Sequence, residues 1–319
     1  MKIFILGKVA SITHWLEDCV ASLRAEGHQV AVGATRNPAV HGAVERLLYS
    51  PALGAPLAAR LARRIRGFSP GLILAIDPYH FPAAVLEAIA DLPARPPLVG
   101  WVGHVFSPAA GATAAAMDLV AYTDSGFIDL HRDLGFQSAV LYLPHAVNPH
   151  MGSQAPTAGA RDTSLIFVGN PTPHRRAIVG AVRAPIALYG PGWTPHVGAI
   201  HVIHAGRVEA AALPTLYGRH LAGLNIRNER HVLNGLNQRN FQPYLVGTPL
   251  VTDDQPDLLR CFEPGKEVFV FHDTEELNAI GESLRRSPAT ALAAGENGRR
   301  RVLRDHTYAR RLEAILAQL

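Results

Sequence analysis

The residues with the clearest chemical potential are glycines and arginines that follow short apolar runs. Phe167-Val-Gly169-Asn170 closes one such run and is followed by His174-Arg175-Arg176. A glycine turn entering a helix presents backbone N–H groups, and guanidinium groups beside it can meet phosphate oxygens in pairs. An ordinary strand-turn-helix junction with surface arginines has the same appearance, so the motif alone is unspecific. Tyr189-Gly190-Pro-Gly-Trp193 offers glycines and aromatic rings suited to a flat base, or to a plain surface turn. Gly206-Arg207 sets another cation ahead of a helical stretch ending at His220, and Arg227 and Arg239 lie within the polar stretch Asn225 to Pro249.

In the first half, Asp77 and His104 each close an apolar run, in Ala75-Ile-Asp77-Pro-Tyr-His80 and Leu98-Val-Gly-Trp-Val-Gly-His104. A carboxylate at such a place can act as a general base or cap an Asp-Pro turn, and the imidazole can handle a proton or be structural. Gly7-Lys8 after the first run would let a substrate approach the backbone, with Ser11, Thr13 and His14 supplying polar groups. Asp124 and Ser125 read as a helix cap.

These positions presuppose strands that end on one edge. Ile3–Leu6, Gln29–Val32, Leu72–Ala75, Leu98–Val102 and Leu119–Tyr122 alternate with helix-length segments, and a last run begins at Leu141. Continuous apolar runs separated by helices predict a parallel sheet covered on both faces. The pattern restarts after a polar stretch, with runs at Ser164–Asn170, Ala187–Gly190, His201–Ile203, Ala222–Ile226, Pro249–Thr252 and Glu267–Phe271. The expected fold class is therefore α/β, with two Rossmann-like doubly wound domains, 1–150 and 164–319, joined by a linker over 151–163. In open α/β folds ligands bind beyond the carboxyl ends of the strands, so a cleft faced by both domains is the expected site.

An ordered set of motifs in the second half resembles a family. Asn237-x-Arg239-x-Phe241-Gln242, Gly247-x-Pro249, Asp253-Asp254, Phe262-x-x-Gly265-Lys-Glu267, Asp273-x-x-Glu276, Gly298 and Arg304-x-His306-Thr-Tyr308-x-x-Arg311 look like the C-terminal half of CgeB-like, group-1-related glycosyltransferases. The likeness runs from about Ser164 to the end. It implies a GT-B architecture, with a nucleotide-diphosphate sugar held mainly by the C-terminal domain and acceptor groups on the N-terminal one. The donor residues it points to are Gly169, Asn170, Arg175, Tyr189, Gly190, Arg207, Arg227, Asn234, Asn237 and Gln242, with Arg239 stabilising the leaving diphosphate. In such enzymes a histidine or acidic residue at the place of His104 often contacts donor sugar or acceptor, and Asp77 would be the base if transfer inverts. No metal or other cofactor is implied, and a retaining course needs little from a protein base.

This chain departs from the family at two places. Related retaining enzymes commonly carry a glutamate five residues before the glycine of Gly-x-Pro and another eight residues earlier; Gln242 and Asn234 stand there. An amide keeps hydrogen-bonding capacity but removes charge, which preserves ribose recognition and lessens repulsion toward a diphosphate. The same exchange fits a non-catalytic nucleotide-sugar-binding protein on a transferase scaffold, the alternative reading.

Composition narrows the partners. With 319 residues, 48% hydrophobic and 18% charged, the chain is globular, and two domains of about 150 residues are expected. A net charge of +4 with dispersed arginines excludes the footprint of a nucleic-acid reader and suits a small anionic ligand. Cys19 and Cys261 have no metal-ligand spacing and are expected to be reduced in a cytoplasmic protein. Arg60, Arg63, Arg64 and Arg66 interrupt the apolar residues of Leu57–Phe68, a pattern that fits peripheral contact at the inner membrane face or a solvated helix with its apolar side in the core. The acceptor stays open among saccharide, lipid-linked and protein hydroxyls.

Overall fold

The computed structural model describes residues 1–8, 14–36, 51–154, 161–193, 200–204 and 206–319. The chain divides into two compact units, one formed by Met1–Pro144 with Tyr308–Leu319 and the other by His145–Thr307. Periodicity alone assigns the last helix to the second domain; in the structure it belongs to the first unit. The Tyr308 ring meets Trp101 edge-on at 6.0 Å, its hydroxyl donates to the Trp15 carbonyl at 3.4 Å, and Arg311 Nε donates to the Pro144 carbonyl at 2.6 Å.

The first unit is built on a parallel sheet of β1 (Lys2–Lys8), β2 (Gln29–Arg36), β3 (Leu72–Ile76), β4 (Leu98–Val102), β5 (Leu119–Tyr122) and β6 (Ala139–Tyr142), in the order β2-β1-β3-β4-β5-β6. All residues of β3, β4 and β5 are buried, as expected where helices cover both faces. Helix α1 (Trp15–Ala25) turns Trp15, Leu16, Cys19, Val20 and Leu23 inward, and Gly27, at φ 84°, ends it. Helix α2 (Pro51–Phe68) buries Ala58, Leu61, Ala62 and Ile65 in the core and leaves Arg60, Arg63, Arg64 and Arg66 exposed. Its apolar side is therefore already occupied. No described helix is long and apolar enough to cross a membrane.

The second unit repeats the architecture with β7 (Leu165–Val168), β8 (Ile186–Tyr189), β9 (Ile200–His204), β10 (Ala222–Asn225), β11 (Leu250–Asp253) and β12 (Val268–Phe271). Their spatial order, β12-β11-β10-β7-β8-β9, reverses direction between β7 and β10. Such a switch point opens a crevice beyond the strand ends. Helix α3 (Pro173–Gly180) follows β7, helix α4 (Leu213–Arg219) precedes β10, and helices α5 (Thr274–Arg286) and α6 (Pro288–Asp305) complete the unit.

Two glycines of α6 permit close packing. A Cβ on Gly295 would lie 2.1 Å from the Gly247 carbonyl oxygen, and one on Gly298 would lie 2.1 Å from a ring carbon of Tyr244. Gly247 itself ends the short helix Gln242–Val246 at φ 67°. The Gly-x-Pro turn is thus held by backbone-level contact with α6 at Gly295, and Gly298 makes room for the Tyr244 ring of the preceding short helix.

Candidate functional site

Strand register brings the second unit's cations together. Phe167 pairs with Leu224, so the chain leaving β7 runs beside the chain leaving β10, Gly169 next to Ile226. Thr172 caps α3 by accepting the Arg175 N–H at 3.2 Å, with Pro173 at the first helical position. That start places Arg175, only 3% exposed, in the gap between the two loops. Its Nη1 donates to the Asn170 carbonyl at 3.1 Å, while Nε and Nη2 donate to the Ile226 carbonyl at 3.0 and 2.8 Å. Arg175 is first a strut between loops.

Arg239 lies close enough for the two positive charges to repel. Burial, followed by that repulsion, lowers Arg175 to about 9 against a partial offset from Asp253. Burial likewise holds Arg239 below the usual arginine value, opposed by Tyr217. The Arg239 side chain makes no ion pair with any described residue, and its Nε is buried without an acceptor. Arg239 is half-buried, and a partly desolvated cation without an ion pair has an anion as its natural complement.

A buried amide network fixes where Arg239 begins. Asn237 caps the turn Gln238–Asn240 by accepting the Arg239 N–H at 2.9 Å and donates to Asn225 Oδ1 at 3.1 Å. Asn240 Oδ1 accepts from the Asn237 N–H at 3.0 Å and from Asn225 Nδ2 at 3.1 Å, and Asn240 Nδ2 reaches Thr252 at 3.3 Å. Gln255 joins Thr252 and Asp253 at 3.1 and 3.2 Å. Asn225, Asn240, Thr252 and Gln255 are supporting residues that sequence reasoning missed; the three-residue spacing of Asn237 and Asn240 was the available signal, a capping box. Gln242 is 8% exposed, yet its side chain bonds to no described residue. The Asn234 carbonyl accepts the Asp257 N–H at 3.1 Å.

The other sequence-derived donor residues divide by setting. Gly190, at φ 140°, has no room for a side chain, since a Cβ would meet the Gly169 carbonyl oxygen at 2.5 Å. Trp193 Nε1 donates to that same oxygen at 2.8 Å, so the loops after β7 and β8 are laced together. Tyr189 ends β8 and its ring approaches His220. Arg207 is exposed, 4.0 Å from Glu209. Arg227 is tied to the next strand: its N–H donates to Asp253 at 3.1 Å, its Nη1 donates to the Asp254 carbonyl at 3.1 Å, and its Nε lies 3.6 Å from Asp253. The ion pair with Asp253 is therefore present. Among the described residues no three His, Cys, Asp or Glu side chains cluster as a metal site.

In the first unit, Ile76 pairs with Trp101, so the ends of β3 and β4 lie side by side. Asp77 Oδ1 accepts the Gly103 N–H at 2.8 Å and Oδ2 lies 2.9 Å from His104 Nδ1. Burial would raise the Asp77 carboxyl, but the charge and hydrogen bond of His104, the Gly103 N–H and nearby His80 together hold it below its ordinary value. Burial would lower His104, but Asp77 outweighs both that and Lys8, so His104 titrates above the ordinary histidine value. Both residues line a cavity of about 390 Å³ with Tyr79, His80, Phe106 and Ser107. Asp124 caps the helix Ser125–Asp133 by accepting the Gly126 N–H at 2.8 Å. Gly7 permits close packing, because a Cβ there would lie 2.6 Å from Leu16 Cδ1. Ser11 and Thr13 lie outside the described residues, and His14 is a buried residue in left-handed conformation, φ 53°.

Residues 174–317 match the family model described as glycosyl transferase-like. No functionally curated protein matches by sequence. Among solved structures, the chain is similar to HepE of Anabaena in complex with UDP and glucose, at 15% identity over 100% of both chains and a TM-score of 0.70. It is also similar to sucrose-phosphate synthase from Thermosynechococcus elongatus, at 13% identity over 100% of this chain and 98% of that one, TM-score 0.69. Trehalose 6-phosphate synthase from Burkholderia multivorans follows at 12% identity, with 99% and 95% covered and a TM-score of 0.60. The fold is that of the GT-B glycosyltransferases. Residues 174–317 thus carry a glycosyl transferase-like domain within that fold.

Proposed function

We propose that this enzyme transfers a glycosyl group from a nucleoside-diphosphate sugar to a hydroxyl-bearing acceptor, without a metal and with retention at the anomeric carbon. The carrying observation is Arg239, a half-buried cation with a buried Nε and no ion-pair partner among the described residues, beside the buried Arg175 at a topological switch point. In transfer, the bond from the anomeric carbon to the β-phosphate oxygen breaks and its electron pair stays on the diphosphate. Fixed cations stabilise that charge as it develops, and the leaving phosphate takes the acceptor proton. Arg239 contacts the diphosphate, Arg175 supplies field from behind the loop, and Gln242 hydrogen-bonds the ribose. The bound UDP and glucose of HepE support a UDP-sugar as donor. The spacing from Asn237 to Arg311 supports a CgeB-like branch, and the exposed arginines of α2 support an electrostatic contact of a cytoplasmic enzyme with anionic lipid.

A thermal-shift panel of UDP, GDP, dTDP, ADP and CDP tests the donor site. Selective stabilisation by UDP that disappears in Arg239→Ala is expected. No response at millimolar concentration, or one unchanged in Arg239→Ala, overturns the assignment. Mass spectrometry of UDP-glucose consumption then reads transfer directly.

A further inference from the structure

Two contacts join the chain leaving β7 to the chain leaving β10. Arg175, 3% exposed, makes the inner one through the Ile226 carbonyl. The outer one joins close neighbours of that pair: His174 Nδ1 lies 3.6 Å from Glu229 Oε1, with side chains 33% and 56% exposed. Both cross the gap at which strand order reverses, the buried arginine underneath and the exposed pair on the solvent side.

A single turn of chain brings Glu229 there. Asn228 Oδ1 accepts the Arg230 N–H at 3.3 Å, and the Asn228 carbonyl accepts the His231 and Val232 N–H groups at 2.9 and 3.2 Å. The turn fixes the Glu229 backbone and leaves its side chain to reach the first turn of α3. A carboxylate is stabilised at a helix start by free N–H groups and partial positive charge, the same features that bind phosphate. Arg175 and Arg239, which repel one another, add to that positive field.

Asp253 and Glu229 are held very differently. Asp253 accepts the Arg227 N–H at 3.1 Å and Gln255 Nε2 at 3.2 Å, and its side chain is 11% exposed. Glu229 has one contact among the described residues, too long for a hydrogen bond and open to water. Such a pair is worth at most about fivefold in an equilibrium. When a more highly charged anion competes for the helix start, Glu229 is the group that yields.

We propose that the Glu229 carboxylate holds the place of the donor's diphosphate at the first turn of α3 and gives way to it, returning as the nucleoside diphosphate leaves. The proposal rests on the donor-site reading above and adds an internal competitor to it. Glu229 weakens diphosphate binding and hastens product release.

Calorimetric titration of the full chain with UDP and with uridine tests this on the unmutated protein, Glu229→Gln and Glu229→Asp. Glu229→Gln is expected to bind UDP about two- to fivefold more tightly, with slower UDP release in stopped-flow displacement and with uridine binding unchanged. Glu229→Asp separates displacement from a general field effect. Aspartate keeps the charge but is one methylene short of His174, so it too should tighten UDP binding, whereas a field effect would leave the unmutated value. UDP affinity unchanged in Glu229→Gln overturns the proposal, as does weaker binding, which would make Glu229 a ligand of the ribose. A Glu229→Asp variant identical to the unmutated protein, or an equal gain for uridine, also overturns it. Absence of UDP binding in every variant removes the donor-site reading and this proposal together. UDP binding that depends on Arg239 but not on Glu229 removes this proposal alone.

Discussion

Nε and Nη2 of Arg175 both donate to one acceptor, the carbonyl oxygen of Ile226, at 3.0 and 2.8 Å. That pairing ties the start of α3 to the end of β10 across the reversal of strand order. It also holds a positive charge beside Arg239 with little else to balance it. The two arginines are consequently expected to have separable roles, structural for Arg175 and, on the proposed reading, ligand-binding for Arg239.

Arg239→Ala is expected to weaken UDP binding by about ten- to a thousandfold, the scale of a lost charge-assisted contact, while leaving thermal stability equal or higher. Arg175→Ala removes the strut and leaves the Ile226 carbonyl unsatisfied, so it should cost about 1–3 kcal/mol in addition to affinity. Calorimetric titration with UDP and denaturant melts of both variants make the comparison.

The Tyr122 hydroxyl lies 2.5 Å from the Tyr79 hydroxyl and 2.8 Å from His131 Nδ1. Tyr122→Phe is expected to destabilise the first unit by about 1–3 kcal/mol, because it strands the Tyr79 hydroxyl and His131 Nδ1 together. Removing Tyr79's hydroxyl as well should restore part of that loss. Urea melts of Tyr79→Phe, Tyr122→Phe and the double variant would show the non-additivity.

Gly298→Ala forces a methyl group into the Tyr244 ring and should cost about 1–3 kcal/mol through overpacking. A melting temperature unchanged from the parent protein would contradict the close contact between α6 and the Tyr244 ring.

Asp18 sits 7% exposed on the inward side of α1, and burial, with a smaller contribution from Glu17, pushes its carboxyl up to about 7. The folded protein therefore holds this proton where the unfolded chain has released it. Stability should fall as pH rises from the unfolded value near 4 through about 7. Asp18→Asn should flatten that decline and add about 1–3 kcal/mol at pH 8, measurable by urea titration across pH.

The strands were legible because parallel sheets covered on both faces leave uninterrupted apolar runs, as in Leu72–Ile76 and Leu98–Val102. The terminal helix was not, since its apolar stripe suits any core and only the contacts of Tyr308 with Trp101 and Arg311 with Pro144 decide its place. Arg239 stood out by motif, and its backbone neighbours Asn237 and Asn240 carried a capping signature. Arg175 could be named but not understood from sequence, because its partners are main-chain carbonyls of Asn170 and Ile226, which no residue type announces. Asp77 and His104 were visible separately; their pairing depends on the register of Ile76 with Trp101, which sequence does not display.

Arg175, fixed to the backbone, cannot follow a ligand. If the proposed donor site is right, it is an electrode built into the scaffold, holding a steady positive potential at the switch point whatever base or sugar arrives. A protein organised this way enforces the charge of its ligand through the fold and leaves the ligand's identity to side chains around it. On that reading, substitutions that retune donor choice would accumulate at those surrounding positions without dismantling the attraction for a diphosphate.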